Sequence, residues 1–415
     1  MPESAEEPLN PYTPDGLHSV WLRLRRVKRN GQPRVLPVGA DGCSTLTFEK
    51  NLSGNLAEIS RKVLQAGLEG PKCRFGPLLE ISKSKPDGGL RSIYIARIRD
   101  QILLRAAHED LLRAATKAGM PLRIPSPGQM LSSVQQAFRH NQPEWVLRTD
   151  LKSFFDSVPR DKVLKKLETL PAHPLTMQVL QIWDRDLRGR KPWNSGTDHD
   201  FPLSGLPQGL SISASLAELW AMQLDAPMAE RFRYFRYADD IAVLCHSEAE
   251  VAEALSFLQG LTHSLDLQLS PGKTKVEKTS DGVRWLGLIH FPHHTEADPE
   301  RTDRWFRRFV AIRRAAVQKL QHTETMAGKA SILKDFEKAL IDEIRGKTSS
   351  RPAWYAGVKD TGLWKKLDSR LHALIRSVYR KAGILLPDGK KLPSLHRHML
   401  GRKVQFASPP HSKAG

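Results

Sequence analysis

The sequence predicts an α+β fold, and three observations carry that expectation. Alternating, β-prone runs flank a Pro-Asp-Gly-Gly turn at residues 86–89, strand-like and helical runs interleave between Trp145 and His290, and 3.6-residue apolar periods fill the chain from Pro299 onward. With 415 residues, 40% of them hydrophobic, the chain can bury the cores of two or three packed units.

Residues 1–45 mix Pro, Gly and basic clusters such as Arg23, Arg25, Arg26, Lys28 and Arg29 with no clean period, and residues 1–69 read as an extension that ends in a helix. Between Thr45 and Gly70, apolar Leu52, Leu56, Ile59, Val63 and Leu64 recur at helical spacing, which predicts an amphipathic helix packed on a core. The run LLEISKSKPDGGLRSIYI predicts a basic β-hairpin, because Pro86 fixes φ and Gly88 and Gly89 tolerate positive φ. A helix follows from about Ile98 to Lys117, so residues 70–145 form one segment.

The next segment, 146–290, opens on the strand WVLRTD. It continues through a helical run from Arg160, a loop rich in Gly and Asp, a helix after Pro207, and hydrophobic strands. From 291 to 415, apolar periods (Trp305, Phe306, Phe309, Ile312; Leu333, Phe336, Leu340, Ile344; Leu367, Leu371, Leu374, Ile375, Val378) predict a helical bundle with a disordered tail, FASPPHSKAG.

Charge narrows the partners. The chain has 64 Lys and Arg against 45 Asp and Glu, a net of +19, and residues 301–415 alone hold 26 against 9. So lopsided a basic excess favours a polyanion, and a solvated helix face is the alternative. Cys43, Cys73 and Cys245 never approach a C-x-x-C spacing, which argues against a disulfide framework or cysteine zinc site and suits a reducing cytoplasm. No signal-peptide core opens the chain, and no stretch approaches the roughly 18 apolar residues of a membrane span.

The chemistry lies in three carboxylates. Asp150 ends the strand WVLRTD, where a rigid sheet can position it. In FRYADDIAVLC, adjacent Asp239 and Asp240 interrupt two strand-like runs, which predicts a tight hairpin whose like charges repel unless a cation is bound. Hard Mg²⁺ suits such a set, since it takes a few carboxylates together with waters and substrate phosphates. Taken alone, an Asp-Asp turn is weak evidence.

Order makes the signal strong. RTDLKSFFDSV, GLPQGLSISASLAELW, YADD, LSPGKTKV and WLGL follow one another as the palm motifs of reverse transcriptases do, and KPDGGLRSIYIARIRDQILL resembles their fingers. The resemblance covers roughly residues 70–290 and is nearest to bacterial enzymes: group II intron proteins, retron polymerases and stand-alone defence-associated reverse transcriptases. It implies a right-hand polymerase fold with fingers at 70–145, palm at 146–290 and a basic helical thumb at 291–415. It also implies an RNA-directed DNA polymerase using two Mg²⁺ ions, with Mn²⁺ a possible substitute, held by Asp150, Asp239 and Asp240.

By the same resemblance, Lys85 and Arg91 reach the nucleotide's triphosphate, and Leu151 and Gln208 line its site. Lys273 lies near the leaving pyrophosphate as a proton donor, and Trp285, Leu286 and Gly287 form the primer grip. A basic surface hairpin, a turn glutamine, a solvated lysine and core packing are the respective alternatives. Phe155 falls beneath the sugar's C2′, where an apolar ring crowds a 2′-hydroxyl and favours deoxynucleotides; a core Phe is the other reading. Asp156, one place later, is expected on the opposite face if the strand continues. Arg304, Arg307, Arg308, Arg313 and Arg314 would grip duplex phosphates from the thumb.

The expected partners are therefore an RNA template, a structured non-coding RNA in the leading reading, with a primer or RNA-DNA hybrid and deoxynucleoside triphosphates. The remaining length holds no ribonuclease H, protease or integrase pattern, so a stand-alone antiviral-defence enzyme is expected. A group II intron-type maturase is the alternative, although no His/Cys-rich nuclease framework surrounds His293, His294, His396 and His398.

Overall fold

A computed structural model describes residues 10–25, 36–69, 73–84, 88–120, 122, 125–192, 198–202, 204–345, 358, 361–386, 392–395 and 397. Lys85, the Pro86-Asp87 turn, His396, His398 and the FASPPHSKAG tail lie outside them. The chain divides into two compact units, the first of Met1–Ile124, Thr149–Ile241 and Leu255–Thr274, the second of Pro125–Arg148, Ala242–Ala254 and Lys275–Gly415.

The first unit opens with α1 (Pro14–Leu24), within the stretch expected to be an extension. Thr13 caps it by accepting from the Gly16 amide, and Pro14 sits at its first turn, where a missing N–H costs nothing. Leu17, Val20 and Trp21 are buried along one face. At 11 residues the helix is too short for its period to stand out among prolines and glycines. After α2 (Thr45–Glu49) comes α3 (Leu52–Glu69), which buries Leu56, Ile59 and Val63; Leu64 is 41% exposed, so the expected apolar stripe is narrower by that residue.

β1 (Leu78–Ser84) and β2 (Leu90–Ile95) form the expected antiparallel hairpin, registered Leu79↔Ile95 through Ser84↔Leu90. The helix α4 (Ile98–Lys117) keeps its predicted limits and buries Ile102, Leu103, Ala106, Ala107 and Leu111. It packs against α1 and against two later helices, α8 (Pro174–Arg185) and α9 (Ser211–Ala221).

Between them the chain passes through α5 (Pro127–Asn141), β3 (Trp145–Asp150), α6 (Phe154–Ser157) and α7 (Arg160–Leu167). The Gly- and Asp-rich loop contains two short strands, β4 (Arg188–Arg190) and β5 (Asp198–Asp200), which extend the first sheet to the order β2-β1-β4-β5. α10 (Asp225–Arg231), β6 (Arg233–Tyr237), β7 (Asp240–Cys245), α11 (Glu248–Ser264) and β8 (Lys275–Lys278) follow. The central sheet has the order β6-β7-β3-β8, and β3 and β7 each begin in one unit and end in the other.

In the second unit, β9 (Val283–Trp285), β10 (Leu288–His290) and β11 (Thr295–Ala297) make an antiparallel sheet. α12 (Pro299–Gln321), α13 (Met326–Ile344) and α14 (Thr361–Ala382) form the predicted bundle. Trp305, Phe306, Phe309, Leu333, Phe336, Leu340, Ile344, Leu367, Leu371, Ile375 and Val378 are buried there, each contributing on the order of 1.5–3 kcal/mol.

Candidate active site

The predicted carboxylates meet through the backbone of the first unit. Asp150 ends β3 and is 7% exposed. Its carbonyl accepts the Ser270 amide at 2.8 Å, and the next amide, Leu151 N–H, donates to the Asp239 carbonyl at 3.0 Å. The tip of the β6–β7 hairpin is Ala238-Asp239, with Asp240 already the first residue of β7. Ala238 adopts φ +55°, a left-handed conformation that disfavours any residue with a Cβ, so the turn carries local strain. Strain of that kind persists only where the surroundings enforce it, and it gathers at functional sites.

Electrostatics agree with a cation site. Burial, and next the charge of Asp150, push the Asp239 carboxyl above the ordinary carboxylate range, against a backbone hydrogen bond and the charges of Lys273 and Arg91. Lys273, in the single turn Pro271–Lys273, places Nζ 2.8 Å from Asp150 Oδ2. Burial opposes its charge, yet Asp150, Asp239 and Asp240 together hold its pKa above the usual lysine value. Among the described residues no cluster of three or more His, Cys, Asp or Glu side chains closes on one point as a preformed metal cage. The donor set of Asp150 and Asp239 is nevertheless hard oxygen with unbalanced negative charge, which fits Mg²⁺ completed by waters and substrate phosphates.

Arg91 is exposed on β2, and its field reaches Asp239. Leu151 is buried and serves through its amide. Gln208 is half-buried, and its carbonyl accepts the Tyr94 amide at 2.7 Å, which ties the loop before α9 to β2. The adjacent Gly209 has φ +112°, and a Cβ there would lie 2.7 Å from the Tyr94 carbonyl, so this close crossing requires glycine.

The strand does not continue past Asp150. Ser153 turns the chain at φ +47° and Phe154–Ser157 form a helical turn, so Phe155 and Asp156 are about 100° apart around a helix rather than on opposite faces of a strand. Phe155 is half-buried, edge-on to the buried Phe154 with ring centroids 5.8 Å apart, and its carbonyl accepts the Leu206 amide.

Two buried arginines in this unit escaped the sequence reading. Arg160 is 4% exposed, pairs with Asp184, and donates at 2.7 Å to the carbonyls of Pro202 and Gly205, pinning the strap that leads to Gln208. Arg236, 8% exposed, lies two residues before the strained Ala238 and bonds Glu218 and Asp225. Its place beside the YADD turn was visible in the sequence; its partners were not.

In the second unit, Trp285, Leu286 and Gly287 shape the β9–β10 hairpin, where Leu286 (φ +50°) and Gly287 (φ +83°) supply the two positive φ values of a tight two-residue turn. Trp285 and Leu286 are buried, and a Cβ on Gly287 would collide with the Arg301 side chain. On α12, Arg304, Arg307 and Arg314 are exposed. The other two are engaged within the bundle: Arg308 donates to both oxygens of Glu343, at 3.1 and 3.2 Å, and Arg313 Nε donates to Ser377 Oγ at 2.8 Å. The helical period placed all five on one helix but could not show that α13 and α14 offer partners to two of them.

A carboxylate ending β3, a second at the β6–β7 hairpin tip, a lysine on the first and a glycine crossing before α9 thus lie in one unit. The family model described as "Reverse transcriptase (RNA-dependent DNA polymerase)" matches residues 83–290, half of the chain, and the chain belongs to that family, whose members share the right-hand polymerase fold. Among curated proteins it is similar to the "Uncharacterized 91 kDa protein in cob intron" of Schizosaccharomyces pombe, 28% identical over 202 residues, 46% of this chain and 23% of that protein. It is also similar to the "Intracisternal A-particle Pol-related polyprotein" of mouse intracisternal a-particle MIA14, 28% identical over 152 residues, 36% of this chain and 16% of that one. The chain thus spans less than a quarter of these relatives' length. Similar solved structures include apo telomerase from Candida Tropicalis (TM-score 0.45, 12% identity, 82% of this chain and 67% of that one). Another is the RNA-dependent RNA polymerase of a human picorbirnavirus (TM-score 0.39, 14% identity, 74% of this chain and 61% of that one). No helix among the described residues is long and apolar enough to cross a membrane.

Proposed function

We propose that the chain is an RNA-directed DNA polymerase that adds deoxynucleotides to a primer 3′-hydroxyl. The observation that carries this reading is the convergence of Asp150, Asp239 and Lys273: the Leu151 amide beside Asp150 donates to the Asp239 main-chain carbonyl, the Asp150 charge raises the Asp239 carboxyl, and an ammonium sits on Asp150. Asp150 and Asp239, with Asp240 beside them, would hold two Mg²⁺ ions, which when bound lower the pKa of the attacking hydroxyl and neutralise the departing pyrophosphate. In this reading Lys273 donates a proton to that pyrophosphate, Arg91 binds triphosphate oxygens through its planar fork, and Phe155 crowds a 2′-hydroxyl. Family membership and a carboxylate pair that favours a cation, Asp150 buried and Asp239 half-buried, support these roles.

The leading biological reading is a stand-alone antiviral-defence enzyme, working in the cytoplasm on a dedicated structured RNA. The likeness to a protein named for a cob intron favours the alternative, a maturase that holds a structured intron with its basic bundle. Extension of a DNA primer on an RNA template with Mg²⁺, compared between the wild-type chain and Asp239→Asn, tests the activity; equal extension by both ends the proposal. Sequencing RNA that copurifies with the protein separates the biological readings, since recovered intron RNA selects the maturase and a short unrelated RNA selects a dedicated template.

A further inference from the structure

Arg236 spends every donor it has on three elements of the first unit. Nε donates to Asp225 Oδ1 at 2.8 Å and Nη2 to Asp225 Oδ2 at 2.6 Å. Nη2 and Nη1 also donate to Glu218 Oε1 and Oε2 at 2.8 and 2.9 Å. The remaining Nη1 hydrogen goes to the Ala238 carbonyl at 3.1 Å. These contacts use all the N–H groups of a guanidinium, and a lysine, with three donors fanned from one atom, cannot reproduce them. Glu218 lies on α9, the helix that follows the Gln208-Gly209 crossing, and Asp225 begins α10. The Arg236 side chain is only 3% exposed, so its charge is matched by carboxylates rather than by water.

The carbonyl it holds belongs to the one residue of the hairpin tip recorded at positive φ without being glycine. An Ala released from such a position relaxes toward negative φ, and in doing so reorients the following peptide and the Asp239 side chain. We propose that Arg236 is a positioning residue for nucleotide addition: clamped by Glu218 and Asp225, it holds the Ala238 carbonyl and so fixes the left-handed turn that presents Asp239. The clamp also couples α9 to that turn, so the helix beside the nucleotide site and the metal-binding carboxylate keep one mutual geometry. This rests on the polymerase reading above for the consequence in catalysis, while the clamp itself stands on the contacts.

Arg236→Lys in the full chain tests it with two independent measurements. In metal-free buffer, hydrogen exchange of the peptide covering residues 237–241 should accelerate at least about tenfold while helix α4 is unchanged, because the turn loses its anchor and the core does not. In single-nucleotide addition, kcat should fall about tenfold or more with KM for the nucleotide within about twofold, since geometry rather than binding is lost. Adding Ala238→Gly to Arg236→Lys should recover about fivefold in kcat, because glycine occupies positive φ without the penalty that alanine meets. A general loss of folding would show no such recovery. If Arg236→Lys fails to fold, Asp225→Asn loosens the same guanidinium from its more exposed partner, and should show the same two changes at smaller size. Unaltered exchange in the turn, or a kcat loss that glycine at 238 does not relieve, overturns the proposal. A wild-type chain that adds no nucleotide sinks the polymerase reading instead, and the exchange measurement still decides the clamp.

Discussion

Lys273 Nζ lies 2.8 Å from Asp150 Oδ2, so one of the two carboxylates brought together in the first unit already carries a cationic partner. The lysine is 61% exposed at its side chain and so can turn toward a phosphate oxygen, whereas Asp150, only 7% exposed, then needs another cation in its place. Lys273→Met should therefore reduce the chemical step by about 10²-fold, the range of a lost general acid, with KM for the nucleotide little changed. Single-turnover kinetics at saturating template check it, and a large rise in KM with normal kcat would recast Lys273 as a binding residue.

Asp239 should be costly to the fold and indispensable to the chemistry. Asp239→Asn is expected to lower nucleotide addition by about 10³-fold or more while leaving template binding intact. Its thermal stability carries a definite sign. The folded-state pKa is raised by burial and by Asp150, so ionising Asp239 costs stability as pH rises from below the unfolded carboxylate value to above the folded one. The Asn variant avoids that cost. In chelator-treated buffer it should melt higher than wild type at neutral pH, and the difference should close as pH falls below about 4. Equal melting at pH 7 would show that Asp239 is not destabilised by its surroundings.

Phe155 sets the expectation for sugar choice. It is half-buried on a helical turn beside Phe154. Replacing it with Val or Ala should narrow the preference for deoxynucleotides over ribonucleotides about tenfold or more, measured as a ratio of kcat/KM, with thermal stability falling by about 1 kcal/mol or more. Stability loss with an unchanged ratio would make the ring ordinary packing.

The arginines of α12 divide into two sets with different readouts. Neutralising Arg304, Arg307 and Arg314, all exposed, should reduce the log-log salt slope of RNA or hybrid binding by about 0.7–0.9 per phosphate contact, or roughly 2–3 in total. Arg308→Ala should act through stability instead, because it strips Glu343, 2% exposed and also bonded by Trp305 Nε1 at 2.9 Å, of its ion pair. A cost of about 1–3 kcal/mol is expected in thermal or denaturant unfolding, with the salt slope unchanged. The reverse pattern would exchange the roles of the two sets.

What was legible in the sequence follows from how local the information is. The hairpin of β1 and β2, the limits of α4, the strand ending on Asp150 and the three long C-terminal helices are written in periods and turn residues that neighbours in the chain carry. Asp150, Asp239 and Asp240 could be named because motif order fixes them. Partnerships across long separations were not legible: Glu218 and Asp225 around Arg236, Glu343 beneath Arg308, Ser377 beside Arg313. A period reports which face of a helix is apolar and says nothing about which arginine on its border meets a carboxylate. The opposite-face placement of Asp156 depended on a continuing strand, but β3 ends at Asp150 and the left-handed Ser153 leads into a helical turn that the pattern alone does not announce.

The unit that holds the carboxylates is assembled from three stretches, the last of them Leu255–Thr274, with other chain inserted between. During synthesis, Asp150 waits for Asp239 and both wait for Lys273, so no shorter amino-terminal fragment contains all three groups. Long-range closure of this kind slows folding. It also means that the three charged groups are all present only once nearly two thirds of the sequence has emerged.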